Sequence, residues 1–206
     1  MESVETPAPR PGLRERKKQQ TRETIERVAL ELFAKQGFDN TTLAEIADAA
    51  DVSPRTIFAY FEGKEDILFC EEAVWIDRIR ERLEQRPEGA TTVDAIREFM
   101  ASLPPPDEQA LLRKRIVAAN PELRMKMRAH IGELESILAE SIAKDLGAGP
   151  ADIRPSLIAA SMTAAFTAVS DRLERDPDAD HHDAIAIVDQ VLEFLRGGLE
   201  AMQKGA

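Results

Sequence analysis

From position 21 to 36 the apolar residues Ile25, Val28, Ala29, Leu32 and Phe33 recur at intervals of three and four, while Arg22, Glu23, Glu26, Arg27 and Lys35 fall on the other faces. That period predicts an amphipathic helix, with helical order beginning near Leu13. Gly37 can take left-handed backbone beyond its end, and Phe38 can fold back onto the last turn. Thr42 and Glu45 have the spacing of a capping box, and Leu43, Ile46, Ala47 and Ala50 supply the inner side of a short second helix. A tight turn at Asp51 and Val52 leads to Ser53, a good N-cap, and Pro54, suited to a first helical position. Ile57, Phe58 and Phe61 are the expected buried stripe of this third helix, which Gly63 stops. Ile67, Leu68, Val74, Trp75, Ile76, Ile79 and Leu83 then predict a longer helix running toward Arg86, closed by Pro87 and Gly89.

Five further helices follow over about 92–103, 108–119, 121–146, 152–175 and 182–203, separated by Pro104 to Pro106, Asn120-Pro121, Gly147 to Pro150 and Asp176-Pro177. No stretch alternates with the period of a strand. The fold class is therefore all-α, about nine helices: three short N-terminal helices, the second and third joined by a tight turn as in a helix-turn-helix, and a larger helical remainder. The expected division is a flexible arm at 1–12, the helix-turn-helix at 13–63, and the larger domain at 64–206.

Composition narrows the function. A chain of 206 residues buries roughly 70% of its unfolded surface, so its core needs no staples. The single cysteine, Cys70, excludes an intramolecular disulfide, and neither a signal segment nor an eighteen-residue apolar run is present. The expected location is cytoplasmic. His130, His181, His182 and Cys70 assemble no nucleophilic arrangement; Asp180 to Asp183 read as a helix start with Asp180 as N-cap, and no phosphate-binding glycine motif occurs. A binding protein without cofactor or metal is expected, not an enzyme.

The net charge of -11 opposes nucleic-acid binding on average, but its distribution does not. Arg10, Arg14, Arg16, Lys17 and Lys18 face only Glu15 in their stretch, whereas the chain after Lys64 is acidic. The basic stretch reads either as a solvated helix extension or, slightly preferred, as an arm that touches the DNA backbone or minor groove.

Thr41, Thr42, Leu43, Ile46, Ala47, Ala50, Val52, Ser53, Thr56, Ile57, Phe58, Tyr60, Phe61 and Lys64 resemble, in type and spacing, the DNA-binding signature of TetR family regulators. The resemblance implies a DNA-contacting set of Thr42, Ser53, Pro54, Arg55, Thr56, Tyr60 and Lys64. Within it, Thr42 and Lys64 would hold phosphate, Arg55 and Thr56 would lie near base edges, and Tyr60 against the sugar-phosphate backbone. Two positions depart from the common pattern: Asp51 stands where many relatives carry Gly, and Phe58 where many carry Tyr.

Residues 113–124, from Arg113, Lys114 and Arg115 through Asn120, Pro121 and Glu122 to Arg124, resemble the C-terminal domain of actinobacterial regulators related to the mycofactocin-system repressor. That group implies an acyl-CoA-like or other hydrophobic effector. Arg113 and Arg115, with Lys114, are candidate phosphate ligands, or else surface charges paired with Glu108 or Glu122. Candidate apolar lining is Phe69, Trp75, Ile79, Phe99, Met100, Leu103, Met127, Met162 and Phe166. The dimer interface is expected on the last two helices: Ala160, Ala164 and Ala168, which permit close approach, with the stripe Val188, Val191, Leu192, Leu195 and Leu199, unless the monomer's core consumes both.

Together these features predict a homodimeric, ligand-responsive transcriptional regulator, a repressor released from a palindromic DNA operator by its effector, with no membrane partner. The rival reading is a helical interaction protein that works through protein partners.

Overall fold

In a computed structural model, which describes residues 12–175 and 181–204, the chain divides into two compact units, one ending at Phe69 and the other beginning at Cys70. Among the described residues there are helices but no strand, and no helix is long and apolar enough to cross a membrane. The predicted arm at 1–12 lies outside the described residues apart from Gly12, as does Asp180.

The first unit holds α1 (Leu13–Gln36), α2 (Leu43–Ala49), α3 (Pro54–Phe58) and the opening of α4 (Lys64–Glu84). α1 starts where expected, and Arg14, Arg16, Lys17 and Lys18 are exposed on its first turns. These four are thus helical, which corrects the preference for an arm. α1 buries Ile25, Val28, Ala29, Leu30 and Phe33. Leu30 replaces the expected Leu32, which is half-buried, because the core wraps further round the helix than one stripe. At the helix end Gly37 takes φ 87, a backbone strained for any side chain, and Phe38 folds back with its ring 4.8 Å from that of Phe33.

α2 opens with the expected capping box, Thr42 accepting from the Glu45 amide and the Glu45 carboxylate accepting from the Thr42 amide at 2.8 Å. Ile46 and Ala47 point inward and Ala50 closes the side, but Leu43 is only half-buried. The turn into α3 is made by Asp51 at φ 53, where a short polar side chain is tolerated better than most. In α3 the fully buried residue is Ile57; one turn on, Phe61 joins it. Phe58 is 60% exposed, against expectation: it lies about 100° around the helix from Ile57, outside the face that Ile57 and Phe61 share. Val74 on α4 is exposed for the same reason, lying opposite Ile76.

The second unit holds the rest of α4, then α5 (Thr92–Ala101), α6 (Glu108–Ala119), α7 (Pro121–Leu146), α8 (Arg154–Arg175) and α9 (His181–Lys204). α4 stops two residues short of Arg86 and α5 two short of Leu103. α8 starts two later than predicted, because Asp152 sits ahead of the helix and accepts from the Arg154 amide at 2.9 Å. α7 lies against α8, α8 against α9, and α5 against both α7 and α9. Their shared core includes Ile79, Ile96, Leu138, Ile142, Met162 and Leu192.

One polar network is built into this apolar unit. Arg86 donates to Thr92 Oγ1 at 2.8 Å and Ser141 Oγ at 3.1 Å and pairs with Asp145, whose other oxygen accepts from the Thr92 amide at 2.7 Å. It ties the segment after α4 to the start of α5 and the end of α7. Each group has a partner, which is the condition under which buried polarity rigidifies a fold.

Candidate nucleic-acid interface

α3 is a single capped turn and a half. Ser53 Oγ accepts from the Thr56 amide at 3.1 Å and is bonded to Thr56 Oγ1 at 2.8 Å. With Ile57 anchored beneath, Arg55 lies on the opposite face of α3 in solvent, and Ser53, Pro54 and Phe58 around it are exposed too. Thr56 and Tyr60 are half-buried. The Arg55 guanidinium makes no ion pair with the described residues, so its planar fork is available to an outside acceptor.

Two expected phosphate contacts have inward roles. Lys64 Nζ donates to the carbonyls of Phe38 at 2.8 Å, Thr41 at 3.2 Å and Asp39 at 3.3 Å, and sits 4.5 Å from the centre of the Phe38 ring. Its three N–H groups thus clamp the α1–α2 loop, and a phosphate contact would draw the ammonium off those carbonyls. The Thr42 hydroxyl is likewise engaged, donating to Glu45 Oε2 at 2.9 Å as well as capping α2. Those hydrogen bonds hold the Glu45 carboxyl below its ordinary value, the Thr42 amide acting most strongly. The inward use of Lys64 had no local signal, since its partners lie more than twenty residues away.

Phe58 was missed as a surface residue. The expected stripe joined Ile57, Phe58 and Phe61, and spacing alone admits both 58 with 61 and 57 with 61; only the second pair faces the core.

In the second unit the proposed pocket residues separate. Ile79, Phe99 and Met162 are buried in one cluster, with Trp75, Met100, Leu103 and Phe166 packed partly buried against it. Trp75 and Phe99 meet edge to face at 5.8 Å. These residues pack in one core, and Phe99 also borders a small cleft with Arg78, Arg82 and Glu98. Phe69 is buried and Met127 half-buried, both apart from that cluster, and Arg115 is exposed. A cleft of ≈ 620 Å³ lies elsewhere, lined by apolar Leu83, Pro87 and Ala90 as well as by polar Arg86, Lys144 and Asp145. Arg113 is buried and pairs with Glu71 of α4, neither with Glu108 nor with Glu122 as one reading expected.

On the last helices, Val188 and Leu192 are already buried in the subunit core, and Val191 and Leu195 are half-buried. Val188 and Leu192 are therefore spent on the subunit's own core, the alternative the sequence left open. Ala164 and Ala168 are exposed and Ala160 half-buried; Leu157, Ile187 and Phe194, which the expected stripe did not include, are exposed. The Leu199 side chain lies outside the described residues.

A capped helix-turn-helix on one unit, and a separate helical unit behind it in the sequence, define a DNA-binding transcriptional regulator. Residues 25–69 match the bacterial regulatory proteins of the tetR family, and residues 90–200 match the MftR C-terminal domain. The chain is 32% identical over 219 residues to the HTH-type transcriptional regulator TcmR of Streptomyces glaucescens, covering 98% of this chain and 97% of that one. Its fold is similar to that of SmeT in complex with triclosan (TM-score 0.62, 21% identity, 85% of this chain and 91% of that one). It is similar again to native NalD, the secondary repressor of the MexAB-OprM multidrug efflux pump in Pseudomonas aeruginosa (TM-score 0.62, 21% identity, 88% and 97%). The chain belongs to the TetR family of transcriptional regulators.

Proposed function

We propose that the protein acts in the cytoplasm as a homodimeric repressor that places α3 of each subunit in the major groove of a palindromic operator and leaves it when a small hydrophobic or acyl-CoA-like effector binds the second unit. The observation that carries this is the outward face of α3, where Arg55 stands exposed and unpaired while Ile57 fixes the helix from below. A guanidinium there can donate to guanine O6 and N7 together, and the exposed Phe58 ring can meet a thymine methyl. Ser53, Pro54 and Thr56 hold the helix start, and Tyr60 flanks it toward the backbone.

For the dimer, the exposed apolar positions Leu157, Ala164 and Ala168 on α8 recur at intervals of seven and four, and Ile187 and Phe194 on α9 at seven. Such stripes on two adjoining helices fit the same pair from a second copy, a self-complementary four-helix contact. α4 runs from the DNA-binding unit into the second unit. A ligand that prefers a different position of α4 would alter the spacing of the two α3 helices, and release requires that it bind the non-operator conformer more tightly.

A gel-shift titration against the DNA upstream of its own gene, repeated across salt concentrations, tests the reading. Binding that falls steeply with salt supports it. Binding to no fragment would favour the helical interaction protein instead.

A further inference from the structure

Arg113 of α6 has a side chain only 2% exposed, yet one of its three nitrogens is used: Nη1, in an ion pair with Glu71 of α4. Its Nε and Nη2 are buried with no partner, and so is Oε2 of Glu72, the next residue along α4. Interiors rarely leave such atoms unpaired, and those left so call for an explanation. Here three of them fall together, since Arg113 lies close enough to Glu72 for its charge to act on that carboxyl without bonding to it.

Nε and Nη2 share one edge of the planar guanidinium, the edge that meets the two oxygens of a carboxylate in parallel. Lys114 and Arg115 follow Arg113 along the chain, but the side chains buried beside it in sequence are apolar: Ile116 and Val117 of α6 and Leu123 of α7. A ligand that seats a carboxylate on that edge and carries an apolar body suits such an interior.

Resting on the ligand-sensing reading above, we propose that Arg113 and Glu72 form the polar end of the effector site and that the effector is an apolar monocarboxylate, both of its oxygens held by the Nε and Nη2 of Arg113. Nη1 stays with Glu71. Burial pushes the Glu72 carboxyl above its ordinary value against the pull of Arg113 and Lys114, with Glu71 adding to the rise. In its neutral form Glu72 donates its proton to the ligand; ionised, it repels it. Carboxylate affinity therefore weakens as pH rises through the Glu72 value. A thioester or amide presents one carbonyl oxygen and no charge to the same edge, so it binds less well.

Calorimetric titration of the full chain with octanoate, hexadecanoate and 2-naphthoate, each beside its primary amide, tests this at about pH 6 and about pH 8. The expected result is binding of at least one carboxylate, with its amide weaker by roughly 10- to 100-fold. Arg113→Lys keeps the charge but loses the fork, and weakens the acid to the level of the amide while thermal unfolding shows a folded protein. Glu72→Gln, nearly isosteric, keeps carboxylate binding and removes its pH dependence, which serves where the arginine variant does not fold. Equal binding of acid and amide, or binding of neither because ordered water alone fills the site, overturns the inference. Operator binding by a protein that takes up no carboxylate would sink this inference alone; a carboxylate that binds without releasing operator would sink the ligand-sensing reading and leave the site standing.

Discussion

Arg55, proposed above to read a base edge, asks little of its own protein. It sits two places after the Ser53 cap, exposed and unpaired, so its donors are uncommitted until DNA arrives. Arg55→Ala should weaken the preferred operator by about 1–3 kcal/mol and relax preference at one base pair of each half-site. Competition gel shifts with single-base operator variants check this; uniform weakening across all variants would assign Arg55 to phosphate instead. Glu45 makes the opposite case, a residue wholly spent on its own helix. Because its carboxyl is held below the ordinary value of 4.5 by Thr42, the stability it supplies is complete above that value and is lost as pH falls through its lower folded value. Glu45→Gln should flatten the acid limb of the unfolding curve of the DNA-binding unit, followed by circular dichroism.

At the level of elements, turn chemistry and caps were the most readable features. The Thr42 box, the Ser53 cap with Pro54, and the Gly147 stop at φ 59 all follow from local letters. Asp51 belongs to this class: at φ 53 it occupies backbone that costs an ordinary residue about 1–2 kcal/mol. Asp51→Val should therefore lower stability by about that much while Asp51→Gly leaves it level or raises it, as denaturant melts would show. What local letters could not reveal is which face of a helix meets a distant partner. Phe58 and Val74 turned outward and Leu30 inward for that reason. The network of Arg86, Thr92, Ser141 and Asp145 was equally invisible, since its members come from three elements. Thr92→Val keeps the shape but removes the hydroxyl that Arg86, Ser141 and Asp145 share, leaving the Arg86–Asp145 pair and the Thr92 amide bond in place, and should cost about 1 kcal/mol in chemical denaturation. A neutral result would mean that the buried groups find other partners.

For the molecule as a whole, the order of parts was legible but the inner surface was not. The basic start, the helix-turn-helix and the acidic helical remainder stand in the sequence in the order the fold uses them. Trp75, Ile79, Phe99 and Met162, expected to line a pocket, pack in one core cluster. Apolar periodicity says that a side chain turns inward, not whether it meets a neighbour or a cavity. The same ambiguity holds on α9, where Val188 and Leu192, expected at a dimer interface, are buried in the subunit core while Ile187 and Phe194 stand exposed. Phe194→Glu should yield a folded monomer, detected by sedimentation, with operator affinity reduced because one subunit engages only half a site. An unchanged dimer would place the interface elsewhere.

Selection of bound duplexes from a randomised DNA library, sequenced and compared with the same selection using Arg55→Ala, probes sequence reading by paired α3 helices most directly. The unaltered protein should enrich an inverted repeat whose half-site centres lie about 34–36 Å apart or a multiple of that, and the variant should lose one base pair of each half. Enrichment of no sequence, of a single unpaired site, or of the same repeat by both proteins would contradict it.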